Sequence, residues 1–147
     1  MDSASQNILE TIRYATISTV DTDGKPWAAP VWYVCDNDNI YWWSPIETQH
    51  SKNIIQNPEI YVTVFDSTAP EGEGAGLYFR ADATELADDE LDKAMEIYNN
   101  STTIFKLDKN NCMGSAPTRM YKAVIKEAWK NDGIEREGFY VDKRVSL

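Results

Sequence analysis

The feature of this sequence that most restricts its fold is a series of short β-forming segments separated by tight turns. The first three segments occupy residues 14–20, 27–34 and 40–43. Asp21-Thr22-Asp23-Gly24 and Asp36-Asn37-Asp38-Asn39 lie between them, and Asp, Asn and Gly are residues that turns favour. Strands joined by such short turns run antiparallel, so this part of the chain is predicted to form an antiparallel meander.

Three more β-forming segments follow, at residues 60–65, 77–86 and 119–130, with a loop at residues 67–76 before the fifth. Pro30 lies inside the second segment and predicts a sheet edge or a bulge there, because proline has no N–H to donate. Alternation predicts that Phe79, Ala81 and Ala83 share one face of the fifth segment. In the sixth segment it predicts one shared face for four residues, Tyr121, Ala123, Ile125 and Trp129.

Apolar residues at helical spacing predict short helices over residues 4–12 and from Asp88 onward. Between them, a second helix is predicted to run from a cap at Ser44 to about Gln56, before Pro58. The sequence Ser44-Pro45-Ile46-Glu47 has the pattern of a capping box at the start of the second helix, and Thr48 is an alternative cap. Six short strands with a few short helices indicate a mainly β (α+β) fold, a small six-stranded antiparallel barrel.

The length and charge of the chain limit the classes of function. Its 147 residues fit a single domain, 1–147, and its net charge of −10 disfavours nucleic acid and membrane surfaces as partners. No segment approaches the roughly 20 apolar residues of a membrane span, and the first residues lack a secretory signal, so a cytoplasmic protein is predicted. Cys35 and Cys112 are predicted to be buried free thiols, and no metal site is predicted.

One short motif has the chemistry of an anion site. His50-Ser51-Lys52-Asn53 lies near the start of the second predicted helix, where a hydroxyl, an ammonium group and free backbone N–H groups together suit a phosphate monoester. The alternative is an ordinary solvated helix face. The glycine-rich run at residues 72–76 is predicted to be a connection rather than a phosphate loop, because it carries acidic residues and lacks the Lys-Ser/Thr ending.

Aromatic residues are concentrated between residues 27 and 43, namely Trp27, Trp32, Tyr33, Tyr41, Trp42 and Trp43. Because side chains alternate along a strand, some of these must lie on the outer face of a barrel. Exposed aromatic residues in such number indicate an interface or a site for a flat ligand. An aromatic core is the alternative interpretation for each residue taken singly.

Several segments in order resemble the pyridoxamine 5′-phosphate oxidase-like family, and within it the small proteins of the general-stress-protein type. They are residues 14–26, Pro30-Val31-Trp32-Tyr33-Val34, Ile40-Tyr41-Trp42-Trp43-Ser44, His50-Ser51-Lys52-Asn53-Ile54, Asn57-Pro58-Glu59-Ile60 and residues 77–83. The resemblance covers residues 8 to 86 and, more loosely, 119 to 129. It implies a split β-barrel that forms a homodimer and binds FMN in grooves between the subunits.

The resemblance also implies roles for single residues. Ser51 and Lys52, preceded by His50, match part of the element that holds the FMN phosphate, and Arg80 would supply a further cation. Trp32, Tyr33 and Val34 match the wall beside the isoalloxazine ring, Trp43 and Ser44 the end of the third strand, and Trp129 an aromatic residue that the second subunit brings.

The function that follows is an FMN-dependent oxidoreductase acting on a small molecule, without an identifiable catalytic residue. The alternatives are a binding or sensing module that holds flavin, deazaflavin or haem without turnover, and a dimeric stress protein with an empty groove. Haem is the least favoured ligand, because His50 is the single histidine of the chain.

Overall fold

Antiparallel strands joined by short turns make up most of the molecule. The computed structural model describes residues 1–102 and 104–147. Its helices are α1 (Ser3–Thr11), α2 (Gln49–Gln56), α3 (Leu91–Ser101) and a 3₁₀-helix (Lys109–Cys112). Its strands are β1 (Tyr14–Val20), β2 (Pro26–Cys35), β3 (Asn39–Pro45), β4 (Glu59–Phe65), β5 (Gly76–Glu85), β6 (Thr118–Arg136) and β7 (Phe139–Ser146).

The strands form a closed six-stranded antiparallel barrel, as predicted. Their order is β3-β2-β1-β4-β5-β6-β7, and β6 pairs with both β5 and β3, which closes the barrel. Pro30 pairs with Thr16 of β1, whereas β3 pairs only with Tyr33 to Cys35 of β2. Pro30 therefore lies where β2 has one neighbour, and its missing N–H removes no bond to β3. No helix in the described part of the chain is long and apolar enough to cross a bilayer.

Two apolar clusters hold the barrel together. The interior is filled by large side chains such as Ile17, Trp42, Phe79 and Tyr121, all fully buried. A second cluster lies outside the barrel, where α3 covers the outer face of β2, β3 and the start of β6; its members include Val34, Tyr41, Met95, Tyr98 and Met120. One side of the barrel is thus covered by the chain's own helix.

The predicted shared face of β6 is wrong at Trp129. Phe79, Ala81 and Ala83 do share the buried face of β5. The register of its pairing with β6 shifts, however, because Arg80 opposes Glu127 whereas Ala81 opposes Ile125, which leaves Lys126 as an extra residue in β6. The extra residue is a β-bulge, and it reverses the alternation of the strand. Ile125 and Ala128 both pack against the interior, so Trp129 points to the outer face, opposite to Tyr121.

The predicted capping box at Ser44 is also wrong, and the alternative cap is correct. Ser44 belongs to β3, where it pairs with Arg119 of β6. Thr48 caps α2, accepting a hydrogen bond from the Ser51 backbone N–H. Pairing with β6 extends β3 as far as Pro45, so the helix cannot begin before the strand ends.

The seventh strand was not predicted. The sixth strand does not end at Lys130 but continues to Arg136, and β7 returns along it after the two residues Glu137 and Gly138. Both have positive φ, 52° and 80°, as a two-residue hairpin turn requires. Gly138 adopts this conformation without steric cost, which explains a turn at this point.

Candidate functional site

The start of α2 is held by a network of hydroxyl groups around His50. The Nε2 atom of His50 lies 2.9 Å from the Ser44 hydroxyl and 3.2 Å from the Thr48 hydroxyl. Thr48 donates to the Ser51 hydroxyl at 2.8 Å, and Ser51 in turn donates to the Pro45 carbonyl at 3.0 Å. These bonds join the end of β3 to the first turn of α2.

The buried position of this network limits its chemistry. The Ser51 side chain is fully buried, and His50 is only 7% exposed. Burial lowers the pKa of His50, because the charged imidazolium would lose its hydration, so the ring is neutral near pH 7. The network therefore positions α2, and its hydroxyl groups are used within the protein.

Lys52 is the member of the predicted phosphate motif whose charge reaches solvent. Its side chain is 52% exposed, and its Nζ atom lies 2.9 Å from a carboxylate oxygen of Glu47, which is also exposed. An exposed ion pair of this kind is weak, so the ammonium group can exchange one anionic partner for another at small cost.

The three β2 residues expected beside a flat ligand are divided between the two faces of the strand. Trp32 and Val34 face α3, and Trp32 packs edge-on against Tyr98 with ring centroids 5.0 Å apart. Tyr33 faces the barrel interior and donates a hydrogen bond to the Leu9 carbonyl at 3.3 Å. The side chains of this wall are therefore largely covered.

An open cavity remains at Trp43, beside the covered wall. It has a volume of about 450 Å³ and is lined by Trp43, Tyr98, Phe105, Lys106, Leu107 and Asn111. Trp43 is 40% exposed and Phe105 is 73% exposed. The polar groups here have partners within the protein: Lys106 donates to the Asn99 and Thr102 carbonyls at the end of α3, and Asn111 accepts from the Asp108 N–H. The cavity therefore presents mainly aromatic and apolar surface.

Arg80 and Trp129 lie together on the outer face of β4, β5 and β6. The Arg80 guanidinium lies 5.9 Å from the Trp129 ring centroid and 2.5 Å from a Glu127 carboxylate oxygen. Trp129 also stacks on Tyr61, with ring centroids 6.3 Å apart. One cation–aromatic contact and one aromatic stack thus form part of a polar and aromatic patch on this face.

Arg144 completes that patch. Its guanidinium lies 4.0 Å from the Tyr78 ring centroid and 5.7 Å from that of Tyr61, and it donates to the Tyr61 hydroxyl at 2.7 Å. We call Tyr61, Tyr78, Arg80, Trp129 and Arg144 the outer patch. In the part of the chain that the structure describes, no group of three or more His, Cys, Asp or Glu residues could hold a metal ion.

Comparison with known families identifies the chain. The sequence profile of the pyridoxamine 5′-phosphate oxidase family matches residues 1–130. This protein belongs to that family. Among proteins of curated function, no sequence matches it significantly.

Solved structures show that its fold is shared by proteins with different ligands. An FAD-binding protein from Mesorhizobium loti superposes with a TM-score of 0.63 at 18% identity, covering 88% of this chain and 94% of that protein. An F420 reductase gives 0.62 at 18% identity, covering 87% and 98%. A haem-binding protein from Mycobacterium smegmatis gives 0.70 at 15% identity, covering 98% of this chain and 59% of that protein. At such identities the likeness concerns the fold alone.

In this member of the pyridoxamine 5′-phosphate oxidase family, the ten predicted site residues fall into three groups. Ser44, His50, Ser51 and Lys52 lie at the start of α2; Trp32, Val34 and Trp43 lie near α3, with Tyr33 behind them in the core; Arg80 and Trp129 lie in the outer patch. The His50–Ser44 bond joins the first group directly to the strand that carries Trp43.

The sequence analysis did not identify five residues that contribute to the Trp43 cavity or to the outer patch. Tyr98 and Phe105 line the Trp43 cavity, and Tyr61, Tyr78 and Arg144 belong to the outer patch. Tyr98 lies in the helix predicted from Asp88 onward, where helical spacing marks it only as an apolar residue. Alternation along β4 and β5 could have placed Tyr61 and Tyr78 outside the barrel, whereas Arg144 lies on the strand that was not predicted.

Proposed function

We propose that this protein binds FMN at the Trp43 cavity and acts as a flavin-dependent oxidoreductase on a small molecule. The observation that supports this most is the aromatic cavity at the end of β3, in a chain of the pyridoxamine 5′-phosphate oxidase family. Its volume of about 450 Å³ lies within the range of ligand pockets, which are mostly apolar with a few polar groups at their edge.

The residues present fit the two ends of such a cofactor. Trp43, Tyr98 and Phe105 would contact the flat, apolar part of the ring system. The exposed ammonium group of Lys52, on the helix that the His50–Ser44 bond fixes to β3, would accept the phosphate. Bound flavin supplies the hydride or electron chemistry, and the protein contributes orientation, charge and exclusion of water.

The state of His50 favours flavin over haem. It is the single histidine in the sequence, and its Nε2 atom is hydrogen-bonded to Ser44 and Thr48 in a buried site. Using it as an axial ligand would require this network at the start of α2 to open. A deazaflavin has the same flat shape and a phosphate, so it is the main competing cofactor.

A second function, flavin binding without turnover, is favoured by one observation. The polar side chains that line the Trp43 cavity, Lys106 and Asn111, already have partners within the protein. The amide of Asn111 cannot act as a general acid or base, and the ammonium group of Lys106 is not available as one without a rearrangement. In this case the protein would retain flavin but would not pass electrons to a substrate.

We also propose that two copies associate through the side of the barrel that α3 leaves uncovered. This side carries the outer patch together with the exposed Tyr14 and Phe65. An exposed aromatic face of this extent is typical of an interface. Light scattering is expected to give a dimer, which Phe65→Lys would weaken. Phe139→Lys should leave it intact, because Phe139 is more exposed than Phe65 but lies at the β6–β7 turn.

The function is tested by loading the protein with FMN, desalting it and recording the visible spectrum. Trp43→Ala should weaken FMN binding by about tenfold, corresponding to about 1.4 kcal/mol of lost aromatic contact. The matched control is Trp27→Ala, because Trp27 is similarly exposed on β2. Equal retention of FMN by both variants would contradict the proposed site.

Anaerobic addition of NADH or NADPH to the loaded protein then separates the two functions. Bleaching of the flavin absorbance, with recovery on admitting an acceptor, supports the oxidoreductase. Retained flavin that neither donor reduces favours the binding module. A protein that holds F420 but no FMN identifies the deazaflavin as the cofactor.

A further inference from the structure

A second cavity lies at the end of the barrel beneath α1. Its volume is about 420 Å³, and the half-buried Ile125 forms part of its floor, above the fully buried side chains of Ile40 and Phe79. Leu9 of α1 contributes a wall. The barrel mouth therefore has room for a small molecule above the packed core.

The cavity is held open by contacts on two sides. On one side, α1 is anchored: Asp2 accepts from the Ser5 N–H at 2.9 Å and pairs with Lys130 at 2.5 Å, and Tyr33 donates to the Leu9 carbonyl. On the other side, the β6 bulge follows Ile125 directly. Bulges are frequent at barrel rims beside binding sites, because they bend the strand and redirect its side chains.

The rim of this cavity carries negative charge. Glu10 and Asp36 line it beside the half-buried thiol of Cys35. The Asp36 carboxylate accepts from Asn39 and Tyr41 and lies 3.6 Å from Lys93, whereas Glu10 forms no ion pair with any residue that the structure describes. Burial, followed by the charges of Asp36 and Glu10, raises the pKa of Cys35.

Met1, which carries the N-terminal ammonium group, also lines the cavity but forms no ion pair with Glu10, whereas the positive side chain of Arg13 faces another part of the surface. Arg13 opposes the effect of the two carboxylates on Cys35, but it lines a separate depression beside Tyr14 and Phe65. The cavity itself thus combines an apolar floor with an unpaired carboxylate at its mouth. This arrangement is complementary to a molecule with an apolar ring and a cationic head.

We propose that the cavity beneath α1 is a second binding site, which takes a small organic amine with its ring against Leu9 and Ile125 and its ammonium group at Glu10. The site shares no lining residue with the Trp43 cavity. It therefore does not depend on the proposed flavin function.

Cys35 provides a direct reporter, because its thiol lines the cavity and becomes inaccessible when the cavity is filled. The rate of its alkylation by N-ethylmaleimide is measured by peptide mass spectrometry. Phenethylamine, 2-phenylethanol and 3-phenylpropanoate serve as probes that share a ring but differ in head-group charge. We expect saturable protection, strongest with the amine and weakest with the carboxylate. Protection by none of the three, or equal protection by all, would overturn the proposal.

Two kinds of variant make the test specific. Glu10→Gln should reduce the preference for the amine over the alcohol by about two- to fivefold, because an exposed ion pair contributes about that much. The control is Glu96→Gln, on the exposed side of α3, which should not change this preference. Leu9→Trp should fill the cavity and slow alkylation without any probe. Gln6→Trp, at an exposed position on the same rim, gives the same test if Leu9→Trp does not fold. Unchanged amine preference in Glu10→Gln would contradict the charged contact.

Discussion

Replacing Lys52 by alanine tests the phosphate end of the proposed FMN site. Two contributions determine the size of the effect. A charge-assisted hydrogen bond to phosphate is worth about 1.5–3 kcal/mol. To form it, Lys52 must leave Glu47, which lies 2.9 Å away in an exposed pair worth about 0.2–1 kcal/mol. The net loss in Lys52→Ala is therefore about 0.5–2.8 kcal/mol, or roughly 2- to 110-fold in Kd.

The same ion pair predicts the opposite effect for its other member. Glu47→Gln removes the carboxylate that competes with phosphate for Lys52. FMN should then bind about 1.5- to 5-fold more tightly, the full range of an exposed ion pair. Both changes should shrink in about 0.5 M salt, where exposed charges are screened over a few ångströms.

The assay is titration of FMN fluorescence, with riboflavin as a ligand that lacks the phosphate. Lys25→Ala is the matched control, because Lys25 is an exposed lysine in the β1–β2 turn. Weaker binding of FMN but not of riboflavin in Lys52→Ala supports the assignment. Equal loss for both ligands, or no loss for FMN, would show that Lys52 does not hold the phosphate.

Three further predictions concern stability. Because burial lowers the pKa of His50, the folded protein takes up a proton less readily than the unfolded chain. The free energy of unfolding in urea should therefore be unaffected by His50 above about pH 6.5 and should fall below that pH. In His50→Gln this fall should be smaller. Phe79→Ala, at the fully buried centre of the barrel, should cost about 3–5 kcal/mol in the same assay, and a cost below about 1 kcal/mol would contradict the packing. Arg144→Ala should lose about 1 kcal/mol and lower Tm by about 2–4 °C, whereas Lys143→Ala on the same strand should leave Tm unchanged.

Most of the barrel could be predicted from the sequence because short segments of the sequence determine most of its strands. Alternation of apolar residues and Asp/Asn/Gly turns determined β1 to β5. Among these five strands, every pairing except that of β4 with β1 joins neighbours in sequence, whereas β6 reaches both β3 and β5 from a distant segment. The orientation of Trp129 could not be predicted, since it depends on one extra residue opposite Arg80 and Ala81. A bulge has no strong local signature, yet it reverses every side chain that follows.

The site was less predictable because its residues come from distant segments. His50-Ser51-Lys52 was found as a motif, but a motif does not show that Ser51 is buried and donates to the Pro45 carbonyl. The start of α2 depends on β6, whose pairing extends β3 beyond Ser44. The end of β6 was missed because Asn131-Asp132-Gly133 has the composition of a turn, and only pairing with β7 makes it a strand.

The position of β6 between β3 and β5 has a consequence for synthesis of the chain. A nascent chain that ends before Thr118 contains the first five strands but leaves β3 and β5 as unpaired edges. Such edges can pair with other chains, so this intermediate is prone to aggregation. One strand, emerging last but one, then protects both edges at once, and Trp42 and Phe79 become enclosed in the same step. Folding should therefore be abrupt and late, and chains that stall before β6 should be the ones that chaperones and proteases remove.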